Sequence, residues 1–149
     1  MYAHILISTD GSEVAAKGLD HGLTLAKALG AKVTILTVTE RFPAYVGMPA
    51  AGWFPDPEEI AAFDGRQAEI AAEILKAAKD AADKIGVAAD TVHVAESMPA
   101  EAIVETAKAR DCSLICMSSH GRRGIGRLLL GSQTAEVLAH STIPVLVVR

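Results

Sequence analysis

The chain has 149 residues, half of them hydrophobic, and 14 Lys and Arg against 18 Asp and Glu give it a formal net charge of -4. That length suits one well-packed domain and is too short for two ordinary ones, while the acidic balance speaks against general nucleic-acid binding. No apolar run approaches the roughly 20 residues of a membrane-spanning helix, and the opening MYAHILISTDGS lacks a basic region followed by a cleavable apolar segment, so a soluble, cytoplasmic protein without membrane contact is expected.

Ala3 to Ser8 is the first short apolar run and reads as a buried strand. Ser12 is placed to N-cap a helix through Leu29, with Gly30 ending it and Val14, Leu19, Leu23, Leu25, Ala26 and Leu29 supplying the buried face. Lys32 to Val38 gives the second strand. Glu40 to Pro57 then breaks the regularity: it holds four of the six prolines together with Phe42, Tyr45, Trp53 and Phe54, and reads as an irregular loop that packs on its own domain, a ligand or a second subunit. A long helix follows from Pro57 to Ile85, ended by Gly86, with Ile60, Phe63, Ile70, Ile74, Ala78, Ala81 and Ile85 on one stripe. Thr91 to Ala95 is the third strand, and Pro99 opens a helix to Ala109 with Ile103, Val104 and Ala107 inward.

Ser113 to Ser118 reads as the fourth strand, Gln133 to His140 as the last helix and Ile143 to Val148 as the last strand. Cys112 and Cys116 bracket the start of the fourth strand with neither a CxxC turn nor a paired histidine motif, which suits reduced structural thiols. Alternating strands and helices with right-handed crossovers predict a single-domain, doubly wound α/β/α sandwich over residues 1–149, with a five-stranded parallel sheet.

Ser118 to Ser132, SSHGRRGIGRLLLGS, carries the chemistry. Gly121 permits a positive φ, letting successive N–H groups form an anion nest. Gly131 and Ser132 open a helix whose first N–H groups lack partners and carry the positive end of its dipole. A phosphate held between nest and helix end is therefore expected. Gly121 and Gly126 have Walker A spacing, but Arg127-Leu128 stands where Lys and then Ser or Thr are required. Gly124 and Gly126 begin a dinucleotide fingerprint that fails at Leu129. Neither motif applies.

In open α/β sheets the ligand crevice lies beyond the C-terminal strand ends. Asp10, at the tip of the first strand, can accept hydrogen bonds from a ribose diol or form an Asx-turn into the first helix. Val38, at the end of the second, can meet a base through its main chain or simply terminate a core strand. His120 in the loop invites a catalytic reading, but no neighbouring group in the sequence is identifiable to orient it. Arg122, Arg123 and Arg127 form a small basic cluster suited to a γ-phosphate or to solvent.

ILISTDGS, VTILTV and ICMSSHGRRGIGRLLLGSQTAEVLAHSTIPVLVV together resemble a universal stress protein over nearly the whole chain. The ATP-binding members of that family show glycine, two residues, glycine, nine residues, then glycine with serine or threonine. Gly121, the stretch Arg122 to Leu130 and Gly131-Ser132 fit this, with Ser118 in place of the first glycine. The resemblance implies ATP as ligand, Asp10 on the ribose, Val38 on adenine, and Gly121, Gly131, Ser132 and Gln133 around the phosphates, with Thr9 lining the crevice. Ser118, His120, Arg122, Arg123 and Thr134 complete the expected set. Mg²⁺ is expected to arrive with the triphosphate, since few acidic ligands are in view.

The function so implied is a nucleotide-dependent stress-response regulator acting through an unidentified protein partner. Its competitors are a slow ATPase, for which only Asp10 and His120 offer themselves as base, and an interaction module with an empty crevice. The apolar terminus IPVLVVR would expose an edge strand in a monomer, and the resemblance implies that two copies pair along it as a homodimer.

Overall fold

Five strands, β1 (His4–Ser8), β2 (Lys32–Val38), β3 (Ala89–Val94), β4 (Leu114–Ser118) and β5 (Val145–Val148), alternate with four helices, α1 (Glu13–Leu29), α2 (Pro57–Lys84), α3 (Pro99–Ala109) and α4 (Ser132–His140). They belong to a computed structural model that describes residues 1–42, 56–120 and 130–149. The aromatic and proline-rich stretch 43–55, and with it Tyr45, Trp53 and Phe54, lies outside the described residues, as do Gly121, Arg122, Arg123 and the rest of 121–129. The strands are parallel in the order β3-β2-β1-β4-β5.

Alternation along β1 divides the core. Ile5 and Ile7 face α1 and α2, meeting Leu23, Ala26, Leu75, Ala78 and Ala82. Leu6 faces the other way, into a cluster with Ile103, Val104, Ala107 and Val137 from α3 and α4. The result is the expected three-layer α/β/α sandwich. Its strands are short apolar runs because both faces of a parallel sheet are covered.

Local chemistry sets the helix ends. Ser12 adopts extended backbone and its hydroxyl accepts from the Ala15 N–H at 3.1 Å, while Gly30, at φ 65°, returns its N–H to the Ala26 and Lys27 carbonyls. Strand bounds move by one or two residues from the sequence expectation. β3 begins earlier, at Ala89, where it pairs with Val33, and β5 begins only after Pro144, which has no N–H to give the sheet.

Two helix faces differ from the apolar stripes read in the sequence. Leu29 is 50% exposed, and the buried side of α1 is Ala15, Gly18, Gly22, Leu23 and Ala26. On α2 the buried row is Ala71, Leu75, Ala78 and Ala82, whereas Ile70 is 39% exposed and Ile74, Ala81 and Ile85 flank the row. In both cases small residues occupy the contact line because they let the helix axis come close to the sheet, and larger side chains fill the margins. At about 42 Å, α2 is twice as long as the roughly 20 Å strand it covers. Its buried residues all lie in its second half, so the first half projects past the C-terminal ends of the strands. There Phe63 meets Phe42 edge-on, with ring centroids 5.2 Å apart.

At the opposite end of the sheet His4 is buried, its Nε2 2.8 Å from Thr34 Oγ1. Burial, and next the nearby Lys32 charge, hold its pKa below the usual 6.5; attraction to the Arg110 carbonyl acts the other way without reversing the shift. The unfolded chain therefore binds a proton that folded His4 refuses. Its contribution to stability is complete above pH 6.5 and is lost as pH falls from there through the lowered folded value. A His4→Gln variant is expected to show a flatter decline of stability between about pH 7 and pH 5 than the parent, read by urea unfolding at each pH; an equally steep decline would assign the slope to other groups.

Candidate functional site

Strand order reverses between β1 and β4, which is where an open α/β sheet forms its ligand crevice. The segments that follow β1, β2 and β4 meet there. Past β1, Thr9 is buried, its N–H donating to the Leu36 carbonyl at 2.9 Å and its own carbonyl accepting from Thr37 Oγ1 at 2.7 Å. These bonds fix the turn that presents Asp10. Asp10 Oδ1 accepts from the Ser12 N–H at 3.0 Å, and Gly11 sits at φ 76° between them. The Asx-turn into α1 is thus formed, and it orients the carboxylate at the strand tip. β2 runs two residues beyond Leu36, the last to pair with β1, which sets Val38 past the paired stretch on the β1 side.

The end of β4 is tied more tightly. Ser118 Oγ donates to the His120 carbonyl at 2.6 Å, and the Ser119 N–H donates to the Val148 carbonyl at 2.7 Å. Gly131, which caps α4 at φ -60°, donates its N–H to the Ser119 carbonyl at 2.9 Å, and a Cβ added there would stand 2.9 Å from that same oxygen. Thr134 Oγ1 lies 3.1 Å from the Ser118 carbonyl and 3.2 Å from that of Ser119, so its hydroxyl is spent on this junction. Together these bonds hold the first turn of α4 against the end of β4. A second close approach supports the site from behind: a Cβ on Gly18 of α1 would lie 3.1 Å from the Ser118 nitrogen. Sequence reading missed Gly18, since helical glycines announce a close contact only once the partner is known.

The N-terminus of α4 is chemically distinctive. Ser12 and Asp56 cap α1 and α2 with side-chain oxygens and α3 carries Glu101 in its first turn, whereas α4 has neither a side-chain cap nor an acidic residue in its first turn. Among the described residues, the N–H groups of Ser132, Gln133 and Thr134 therefore carry the positive end of the helix dipole without a carboxylate in the helix's own first turn to offset it. Ser132 is exposed and Gln133 half-buried. The Gln133 side chain has a task that the sequence did not reveal: its Oε1 accepts from the Ala100 N–H at 2.9 Å, capping α3 from the neighbouring helix. His120 also gains a partner unseen in the sequence, Ser119 Oγ at 3.0 Å from Nδ1. This fixes the ring's orientation. Ser119 itself is only 3% exposed, and both of its backbone groups are bonded, which suits support rather than nucleophilic attack.

Among the described residues no group of three or more His, Cys, Asp or Glu is arranged to hold a metal. Cys112 and Cys116 are free and buried; burial raises both thiols, that of Cys116 to about 11, so neither supplies a thiolate near neutrality. No described helix is long and apolar enough to cross a membrane.

Comparison with known proteins gives a consistent picture. The sequence model described as the universal stress protein family matches residues 1–149. Universal stress protein MJ0531 of Methanocaldococcus jannaschii is 36% identical over 149 residues, an alignment covering all of this chain and 83% of that protein. Among solved structures, that of protein MJ0577 is 29% identical with a TM-score of 0.79, over 99% of this chain and 96% of that one. A universal stress protein in complex with cAMP is 27% identical with a TM-score of 0.67, over 99% of this chain and 97% of that one. By full-length sequence match and by fold, the chain belongs to the universal stress protein family.

Proposed function

We propose that this chain is a cytoplasmic regulator that binds an adenine nucleotide, ATP with Mg²⁺, in the crevice between β1 and β4, and that occupancy changes what a protein partner meets. The observation that carries the reading is the uncapped, acid-free first turn of α4 held against β4, across the strand-order reversal from Asp10. The cAMP held by a relative of the same fold supports the choice of an adenine ligand. The N–H groups of Ser132, Gln133 and Thr134 take the phosphates, Asp10 the ribose hydroxyls and the Val38 main chain the base. Thr9, Ser118 and His120 line the crevice, and Gly121, Arg122 and Arg123, which lie outside the described residues, complete the phosphate side. With no described cluster of metal ligands, Mg²⁺ is carried by the triphosphate and keeps most of its water.

Binding rather than turnover is the activity. Asp10 and His120 are the described candidates for a base; Asp10 Oδ1 accepts from the Ser12 N–H in the Asx-turn, and Ser119 holds the His120 ring at Nδ1, which orients that residue without supplying a nucleophile beside it. Calorimetric titration of nucleotide-stripped protein with Mg-ATP tests the proposal. Saturable binding at about one nucleotide per chain is expected, and no heat at several temperatures would overturn it. Phosphate release that disappears in His120→Ala would favour the ATPase instead.

The same reading makes the protein a homodimer through β5. The opposite sheet edge, β3, is guarded by Asp90, Thr91 and His93, with Asp90 Oδ2 3.9 Å from Arg110. β5 is all Val and Leu, with Leu146 36% exposed, and so lacks the charges that discourage edge pairing. Sedimentation at micromolar concentration is expected to give twice the mass of the chain.

A further inference from the structure

The cleft between α3 and α4 lies outside the nucleotide crevice, and one residue in it breaks a local rule. Met98 occupies the N-cap of α3, a position that favours Ser, Thr, Asp or Asn, makes no cap with its side chain and is 58% exposed. The capping bond it cannot make comes from Gln133 of α4, through the Ala100 N–H. The helix is thus stabilised from elsewhere while a large, flexible apolar side chain stays in water. Local rules broken with compensation nearby point to function, and methionine is favoured on surfaces that accept partners.

Met98 lines a cleft of about 480 Å³, together with Ala100 and Val104. The rest of its lining is polar. Glu101, Glu105 and Glu136 face one lysine, Lys108, which is paired with Glu105 at 3.0 Å, and His140, whose Nδ1 lies 2.9 Å from the Glu136 carbonyl. Among the described residues Glu101 and Glu136 have no ion-pair partner.

We propose that this cleft docks a basic peptide segment of a partner protein, with an aliphatic side chain of the segment against Met98 and Val104 and flanking Lys or Arg side chains on Glu101 and Glu136. Charge complementarity selects the occupant: an acidic segment would meet unpaired carboxylates, and a purely apolar one would strip water from them without replacement.

The test is an NMR titration of the isotope-labelled full chain with a synthetic 12-residue amphipathic peptide of Leu and Lys, and with its Leu and Glu counterpart. The Leu–Lys peptide is expected to shift the amides of Met98, of residues 100–108 and of residues 136–140 saturably, and the Leu–Glu peptide to leave them unmoved. Met98→Asp is the decisive variant. It supplies a favoured N-cap, so α3 melts no lower than before, and it adds a negative charge, yet it is expected to weaken the Leu–Lys peptide by about tenfold or more because the apolar contact is gone. A Glu101→Gln, Glu136→Gln double variant is expected to weaken it by about fivefold at low salt and by less as salt rises. Shifts scattered over the whole surface, equal binding of the Leu–Glu peptide, or unchanged affinity in Met98→Asp would each overturn the proposal.

Discussion

Replacing Gly131 with valine is expected to cut the affinity for Mg-ATP by at least about a hundredfold while leaving a folded protein. The backbone at Gly131 is extended, at φ -60° and ψ 148°, a conformation that valine accepts, so the cost comes from contact alone. A Cβ there meets the Ser119 carbonyl oxygen at 2.9 Å and the His120 Cα at 3.5 Å. Both are backbone atoms that cannot swing aside. The first turn of α4 must move away from β4, loosening the Gly131-to-Ser119 bond and the Thr134 bonds that aim it. A hundredfold is about 2.7 kcal/mol, within reach of losing one charge-assisted bond of about 1.5–3 kcal/mol together with part of a dipole interaction of up to about 2 kcal/mol. The fold should lose only about 1–3 kcal/mol, as for other overpacked contacts. Calorimetry beside a thermal melt separates the two effects, and unchanged affinity in a folded variant would remove α4 from the phosphate site.

The second large effect lies in the core, between β1 and α1. Ile7 is fully buried, and truncation to alanine is expected to cost about 3–4 kcal/mol, a large share of a typical stability of about 5–15 kcal/mol. Its fit depends on Gly22, where an added Cβ would lie 2.6 Å from Ile7 Cδ1, 2.9 Å from Cγ1 and 3.2 Å from Cys116 Sγ. Gly22→Ala should therefore destabilise by about 1–3 kcal/mol, even though alanine gains about 1 kcal/mol in helix propensity. Ile7→Val removes the carbon that clashes most. In that background Gly22→Ala is expected to cost less, with a favourable coupling of about 1 kcal/mol in a double-mutant cycle read by urea unfolding. Equal costs in both backgrounds would mean that sterics at Ile7 do not explain the glycine.

Much of this architecture was legible in the sequence because parallel strands covered on both faces are short apolar runs, and because Ser12, Gly30 and Pro99 mark helix ends chemically. The faces of α1 and α2 were harder. On α2 only Ala78 of the expected stripe is fully buried: hydropathy favours the isoleucines, whereas close packing on the sheet also takes Ala71, Leu75 and Ala82, one position away in the same period. Around the crevice, the places of Asp10 at a strand tip and of Gly131 at a helix start were legible. Gln133 was read only as a phosphate neighbour, because its bond to Ala100 spans 33 residues and depends on how α3 lies against α4. Ser118 shows the same limit. It stands where the family pattern has glycine, and its hydroxyl bonds to the His120 carbonyl, a contact that no motif spells out.

The overhang of α2 gives that helix two stabilities. From Ala71 onward it is fastened to the sheet, and unwinding there means opening the core. From Pro57 to Ile70 no residue is buried, and the described contacts of this half are led by Phe63 on Phe42. With no fully buried residue to fasten it, this half leans on helix propensity, which alone does little for a segment of that length. Amide hydrogen exchange is consequently expected to be faster from Pro57 to Ile70 than from Ala71 onward. A ligand or partner that rests on the overhang can lengthen or shorten the ordered helix without disturbing the sheet beneath.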